Sequence, residues 1–208
     1  MNNINPKLKE YIENEIFPLY KKNDEGHGIE HIQYVIRRCL EFSKQFQNMN
    51  IDMLYTIASF HDLAHHIDKD QHEILSAKIF YENEKMKEFF TEEQRNIMKE
   101  AIEDHRASLE YIPRNDYGKI LSSADRSTDL DIFIRRTHIY SCKHYSNLSL
   151  NEMIDRAYKH MIKKYGPMGY APTYCKDIEL ENLKKQVQDL VNNKSAFEER
   201  YKKINRIK

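Results

Sequence analysis

The sequence predicts an all-α fold, a single globular helical domain closed by a long C-terminal helix. Three observations predict it. Apolar residues recur at three- and four-residue intervals through most of the chain. No stretch alternates apolar and polar residues convincingly over the length of a strand. Only 5 glycines occur in 208 residues, which argues against a glycine-rich phosphate loop or a dinucleotide fold.

Leu8, Ile12, Ile16 and Leu19 mark a first amphipathic helix. Gly26-His27-Gly28 interrupts the pattern, and Ile29, Ile32, Val35, Ile36, Cys39, Leu40 and Phe46 resume it in a second helix with His31 near its start. Asp52 is a suitable cap for a third helix, which runs through Leu54–Phe60 to His61-Asp62. Ile67 to Gln71 reads as a turn. His72 to Phe90 reads as a fourth helix with Ile74, Leu75, Ile79 and Phe80 inward, and Thr91 caps a fifth that carries Ile97, Met98, Ala101, Ile102 and His105. Ser108 to Asp116, with Pro113, is a connector. Tyr117 to Ser123 leads into Asp125. Ile132–Cys142, Leu150–Lys164 and Ile178–Ile204 give three more helices, with a loop at 166–172 that places Tyr165 and Tyr170 beside it. No repeat, low-complexity segment or linker divides the chain, so residues 1–208 read as one domain with a helical extension over about 176–206.

Charge limits the partners. Lys and Arg number 33, as do Asp and Glu, so the net charge is zero. No global basic field draws the chain to a nucleic-acid polymer or an anionic membrane. The N-terminus has no apolar signal core, and no run approaches the ~18 apolar residues of a membrane span. Cys39, Cys142 and Cys175 are odd in number and form no CxxC, which fits reduced thiols in the cytoplasm. The apolar stripe of the last helix allows a monomer or a homodimer.

Ten histidines carry the chemistry, and six of them fall between His27 and His72. The apolar run Leu54–Phe60 ends in His61-Asp62, a pattern that suits a buried helix delivering an imidazole and a carboxylate to a cavity. His31 lies upstream, and Asp125 lies downstream inside Ser122-Ser123-Ala124-Asp125-Arg126. Two imidazoles and two carboxylates form a mixed nitrogen and oxygen set suited to Mn²⁺, Fe²⁺, Co²⁺, Ni²⁺, Zn²⁺ or Mg²⁺, with water in the open positions. Such an ion activates its water and polarises a phosphoryl oxygen, so the four residues point to metal-assisted hydrolysis.

The order of these residues is the more specific signal. A histidine, then His-Asp ending an apolar helix about thirty residues on, then an aspartate about sixty residues later, resembles the HD-domain superfamily of metal-dependent phosphohydrolases. The resemblance covers roughly Glu25 to Tyr165. It implies an all-α fold, with His31, His61, Asp62 and Asp125 holding the metal and the ion's water as nucleophile, assisted by Asp62 or a nearby histidine. The expected substrate is a small phosphorylated molecule, a nucleotide first among candidates, though the resemblance itself implies much less about substrate. A histidine at the place of His65 lies near the scissile phosphate in the nucleotide triphosphohydrolase branch, which implies a general acid or phosphate contact at His65; a surface or helix-terminal histidine is the equal alternative. His72 and His105 resemble positions that hold a second metal in binuclear members, or they reach the substrate by hydrogen bonds. The short spacing from Asp62 to His72 favours one ion per chain over two.

His27, between two glycines, reads as a loop residue at the pocket rim. Arg106 and Arg126 are the cations best placed by sequence to meet a phosphate, ahead of Arg114 and Lys119. His66, His138, His144 and His160 read as structural or exposed. Three other readings compete. His61-Asp62-Leu63-Ala64-His65 is similar to the HExxH helix of zinc proteases, but aspartate is a methylene short of the required glutamate and no third-ligand signature follows. A di-iron HD-type oxygenase would need His72 and His105 as iron ligands. A non-catalytic module would bind metal and nucleotide to regulate a partner.

Overall fold

A computed structural model describes residues 4–169 and 173–207. Among these residues there are ten α-helices with short 3-10 and π turns, and no strand. None of the helices is long and apolar enough to cross a membrane. The chain divides into two compact units, Met1–Asp125 with Thr173–Lys176, and Arg126–Pro172 with Asp177–Lys208. The sequence reads instead as one domain.

The first unit is built around Ile51–Phe60 (α3), in which every residue from Met53 to Phe60 is buried. A helix apolar on all sides belongs in the middle of a core, not on its surface. Thr56 Oγ1 donates to Asp52 O and Ser59 Oγ to Tyr55 O, so these two hydroxyls are satisfied inside the helix. Around α3 pack Ile29–Phe42 (α2), His72–Glu82 (α4), Glu92–Glu103 (α5) and Asp116–Ala124 (α6). Pro6–Tyr11 (α1) leads into a π turn, Ile12–Ile16, that also touches α3. Gly118 on α6 marks a close approach: a Cβ there would lie 3.1 Å from Pro113 Cβ and 3.4 Å from the Ala101 Cα of α5.

Several helix boundaries differ from the sequence reading, each for a local reason. Asn50, not Asp52, caps α3 by accepting from the amides of Asp52 and Met53. The Asp52 carboxylate instead accepts from Asn5 N. The first helix buries Leu8, Ile12 and Ile16, but Leu19 is exposed and Tyr20 buried in its place. Pro18 has no N–H and crowds the carbonyl four residues back; the π turn before it adds a residue and rotates the inward face by one position. On α4 the inward face is His72, Ser76 and Phe80, so Ile74, half a turn from His72, is exposed. That helix stops at Glu82, and a 3-10 turn, Glu84–Glu88, follows. Thr91 does cap α5, in a reciprocal box with Gln94.

The second unit comprises Leu130–His144 (α7), Leu150–Tyr165 (α8), Ile178–Val191 (α9) and Lys194–Ile204 (α10) around its own core of Phe133, Ile134, Ala157, Met161, Leu183, Val187, Phe197 and Tyr201. The long C-terminal helix of the sequence reading is therefore two helices. Asn193 ends the first arrangement by turning its side chain onto Ala196 N, capping α10. Gly166 follows α8 as expected, and Tyr170 lies outside the described residues.

Candidate metal centre

Six side chains meet where five helix ends converge. His31 stands in the first turn of α2, and His72 is the first residue of α4. His61 caps the C-terminus of α3, Asp125 caps that of α6, and His105 follows α5 by two residues. Asp62 follows His61 in a tight turn, where Leu63 N, His65 N and Ile67 N each donate to the carbonyl three residues back. The hydroxyl of Ser76 on α4 accepts from Ala64 N and holds the turn closed.

Asp62 lies at the centre, 2% exposed. Its two oxygens face different partners. Oδ2 is 3.4 Å from His31 Nε2 and 3.4 Å from His61 Nε2. Oδ1 is 3.3 Å from His72 Nε2 and 3.5 Å from His105 Nε2. Asp125 Oδ1 completes the first side, 3.1 Å from His31 Nε2 and 3.8 Å from His61 Nε2. Two ligand groups thus share one carboxylate: His31, His61, Asp62 and Asp125, and Asp62, His72 and His105. The short sequence spacing from Asp62 to His72 does not keep His72 away, because the chain reverses at 61–71 and α4 begins with its first residue inward.

The imidazoles are oriented from behind. The Nδ1 of His61 lies 2.9 Å from Ala58 O, that of His72 3.0 Å from Lys69 O, and that of His105 2.6 Å from Ile102 O. In each case the carbonyl lies three residues earlier and takes the Nδ1 proton, which leaves the Nε2 lone pair facing Asp62. His72 Nε2 and His105 Nε2 then face each other at 3.2 Å. Two lone pairs at that distance repel unless a cation lies between them. His61 Nε2 is buried without a hydrogen-bond partner. Ligand atoms at the ~2.0–2.2 Å bond lengths of zinc with nitrogen or oxygen ligands stand roughly 3–3.5 Å apart, close to the separations found here. The residues fit a divalent metal on each side of Asp62.

The charges agree with that fit. Burial alone would raise the Asp62 and Asp125 carboxyls, but the surrounding imidazoles hold both well below the usual range. Burial works against a charge on His31, yet Asp125 and Asp62 raise it to about 9. The cluster calls for positive charge, which in the metal-free protein is supplied by protons.

Beside this cluster the His27 ring stacks on His65, centroids 3.6 Å apart and planes 20° from parallel. His27 Nδ1 is 2.7 Å from Asp24 Oδ1. His65 is buried, and its Nδ1 has no hydrogen-bond partner. Asp24, His27 and His65 are near enough to one another to suggest a third ligand set. The stacking argues against it, since imidazoles sharing an ion aim their planes at it and cannot lie face to face. The helix does not continue to His65 as the sequence reading allowed; a turn brings it to the edge of the cluster.

The basic residues occupy several different settings. Arg106 binds Asp70 O and both oxygens of Glu73, and Glu73 lies 3.5 Å from His72 Nδ1. Its guanidinium therefore steadies the start of α4. Arg114 grips the fully buried Asp104, pinning the connector after α5. Lys119 pairs with Asp116 at the surface. Arg126 opens the second unit and is buried. His66 is exposed and bonds Asn23. His138, His144 and His160 belong to the second unit, against Tyr201, Tyr140 and Phe133. Sequence reasoning missed Asn23, Asp24, Glu73 and Ser76. Only Asp24, three residues before His27, carried a signal that could have found it.

Residues 28–129 match the family model of the HD domain. This segment is an HD domain. It contains all six clustered residues, and it belongs to the superfamily of metal-dependent phosphohydrolases. Its match ends at residue 129, short of the 165 the resemblance implied. The crystal structure of a predicted HD superfamily hydrolase from an uncultured Thermotogales bacterium is similar to the chain at 20% identity, covering 75% of this chain and 93% of that one with a TM-score of 0.47. No curated protein matched.

Proposed function

We propose that the protein is a metal-dependent phosphohydrolase that holds two divalent ions on either side of Asp62 and acts on a small phosphorylated molecule, a nucleotide first among candidates. The observation that carries this reading is the division of the Asp62 carboxylate, one oxygen for each pair of imidazole Nε2 atoms. A divalent ion held there lowers the pKa of its water and polarises a phosphoryl oxygen. The chain's own residues do the rest. Asp62 and Asp125 supply negative charge that keeps the cations in place, and the backbone carbonyls behind His61, His72 and His105 keep their Nε2 atoms free to ligate. Burial and the charge of His27 push His65 down to about 4. At neutral pH it therefore meets the substrate as a neutral imidazole, a hydrogen-bonding contact to phosphate and not an imidazolium acid. His27 forms the rim, held by the ionised Asp24. The even charge balance supports a small substrate over a polyanionic polymer.

The test is hydrolysis of p-nitrophenyl phosphate and a panel of nucleoside mono-, di- and triphosphates with Mn²⁺, Co²⁺, Ni²⁺ or Mg²⁺. Wild type should turn over at least one substrate, and Asp62→Ala none above the buffer rate. Retained turnover in Asp62→Ala would contradict the mechanism. The convergence of His72 and His105 on Asp62 also meets the requirement of the di-iron oxygenase reading. Iron as the bound metal, with O₂ uptake and no phosphate release, would favour that chemistry.

A further inference from the structure

Asn23 lies just after the first helical segment and before the Glu25–His27 turn. Its side chain uses all of its hydrogen-bonding capacity. Nδ2 donates to His27 O at 3.0 Å and to Asp62 O at 2.9 Å. Oδ1 accepts from His66 N at 3.0 Å and lies 3.1 Å from His66 Nδ1. An amide offers two N–H donors and two carbonyl lone pairs, so the set is saturated.

These four contacts join two turns that are distant in sequence. In the turn after α3 Asn23 grips Asp62 and His66, the residues that bracket His65. In the turn before α2 it grips His27. The two gripped turns are the ones whose imidazoles stack at 3.6 Å. Aspartate at position 23 would keep the acceptor bonds to His66 and lose both donors. Alanine would lose all four contacts.

We infer that Asn23 is a positioning residue: it clamps the two turns so that His27 lies face to face with His65, and thereby fixes where the buried, unpartnered His65 Nδ1 points. Its effect on turnover rests on the hydrolase reading above; the clamp itself does not. The role is one of geometry, since Asn23 touches neither metal-facing atoms nor the His65 ring in these contacts.

The test has two arms. In the first, the zinc-loaded protein is labelled for NMR of its histidine rings, in wild type, Asn23→Asp and Asn23→Ala. The stacked His27 and His65 ring protons should be shifted by each other's ring current in wild type and lose that shift in both variants. Zinc content and the His138 ring signal should not change. Ring shifts unchanged in a folded variant would overturn the inference, and Asn23→Asp decides it if Asn23→Ala fails to fold. In the second arm, the Mn²⁺-loaded enzyme is assayed on p-nitrophenyl phosphate. Asn23→Asp should lower kcat by about tenfold to a hundredfold, the scale of small misplacements at a reacting centre, with KM little changed. Added to His65→Ala, it should lower kcat no further. A loss that multiplies fully with that of His65→Ala would also overturn the inference. A wild type inactive on this probe would count against the hydrolase reading, while the ring shifts would still decide the role of Asn23.

Discussion

His31 shows how single residues couple the metal centre to pH. Asp125 and Asp62 raise its pKa to about 9 against the cost of burial, from an ordinary 6.5. A group raised on folding contributes stability that is fully present below its unfolded pKa and lost as pH rises through its folded one. The metal-free protein should therefore lose stability from His31 between about pH 6.5 and 9. An ion competes with that proton, so apparent metal affinity should climb with pH, by about tenfold per unit for each displaced proton, and flatten above 9. Calorimetric titration with Zn²⁺ at pH 6, 7 and 8 checks this; an affinity independent of pH would show that no proton is displaced from His31. At this scale the sequence is most informative where a residue type is rare. His61 and Asp62 stand out because an apolar run does not end in an imidazole and a carboxylate without reason, and His31 and Asp125 stand out by their order around that pair. Asn23, Glu73 and Ser76 do not stand out, because an ordinary polar residue near a loop gives no sign of which distant atom it will bond.

At the scale of elements, the site depends on where helices stop. The ends of α5 and α6 carry His105 and Asp125, and these helices approach closely at Gly118. Gly118→Val should force them apart and cost about 1–3 kcal/mol, the usual penalty of overpacking, measured as a lower denaturation midpoint in urea with weaker metal retention. Stability equal to wild type would mean that the approach is more tolerant than the 3.4 Å from a Cβ at 118 to Ala101 Cα implies. Helix positions were largely legible. Periodicity locates the helices, and the all-round apolar character of Leu54–Phe60 announces a central one. Their ends were less so. The π turn before Pro18 shifts a register that no simple period predicts, and the break at Asn192-Asn193 depends on a cap that competes with continued helix. The polar inward face of α4 was also hidden, since His72 and Ser76 face inward to serve the site while Ile74 faces out.

At the scale of the whole molecule, apolar periodicity says that helices have buried faces and does not say which helices share a core. Among the described residues there are two cores, one around α3 and one around Ala157 and Phe197. All six clustered residues belong to the first unit. The central claim is that this unit holds two ions through the two oxygens of Asp62. The measurement that tests it most directly is metal content per chain in protein purified without chelator and reconstituted with Mn²⁺ or Zn²⁺, for wild type, His72→Ala and Asp62→Ala. The account predicts about two ions in wild type, about one in His72→Ala and none tightly held in Asp62→Ala. A single ion in wild type that survives unchanged in His72→Ala, or no metal after reconstitution, would contradict it.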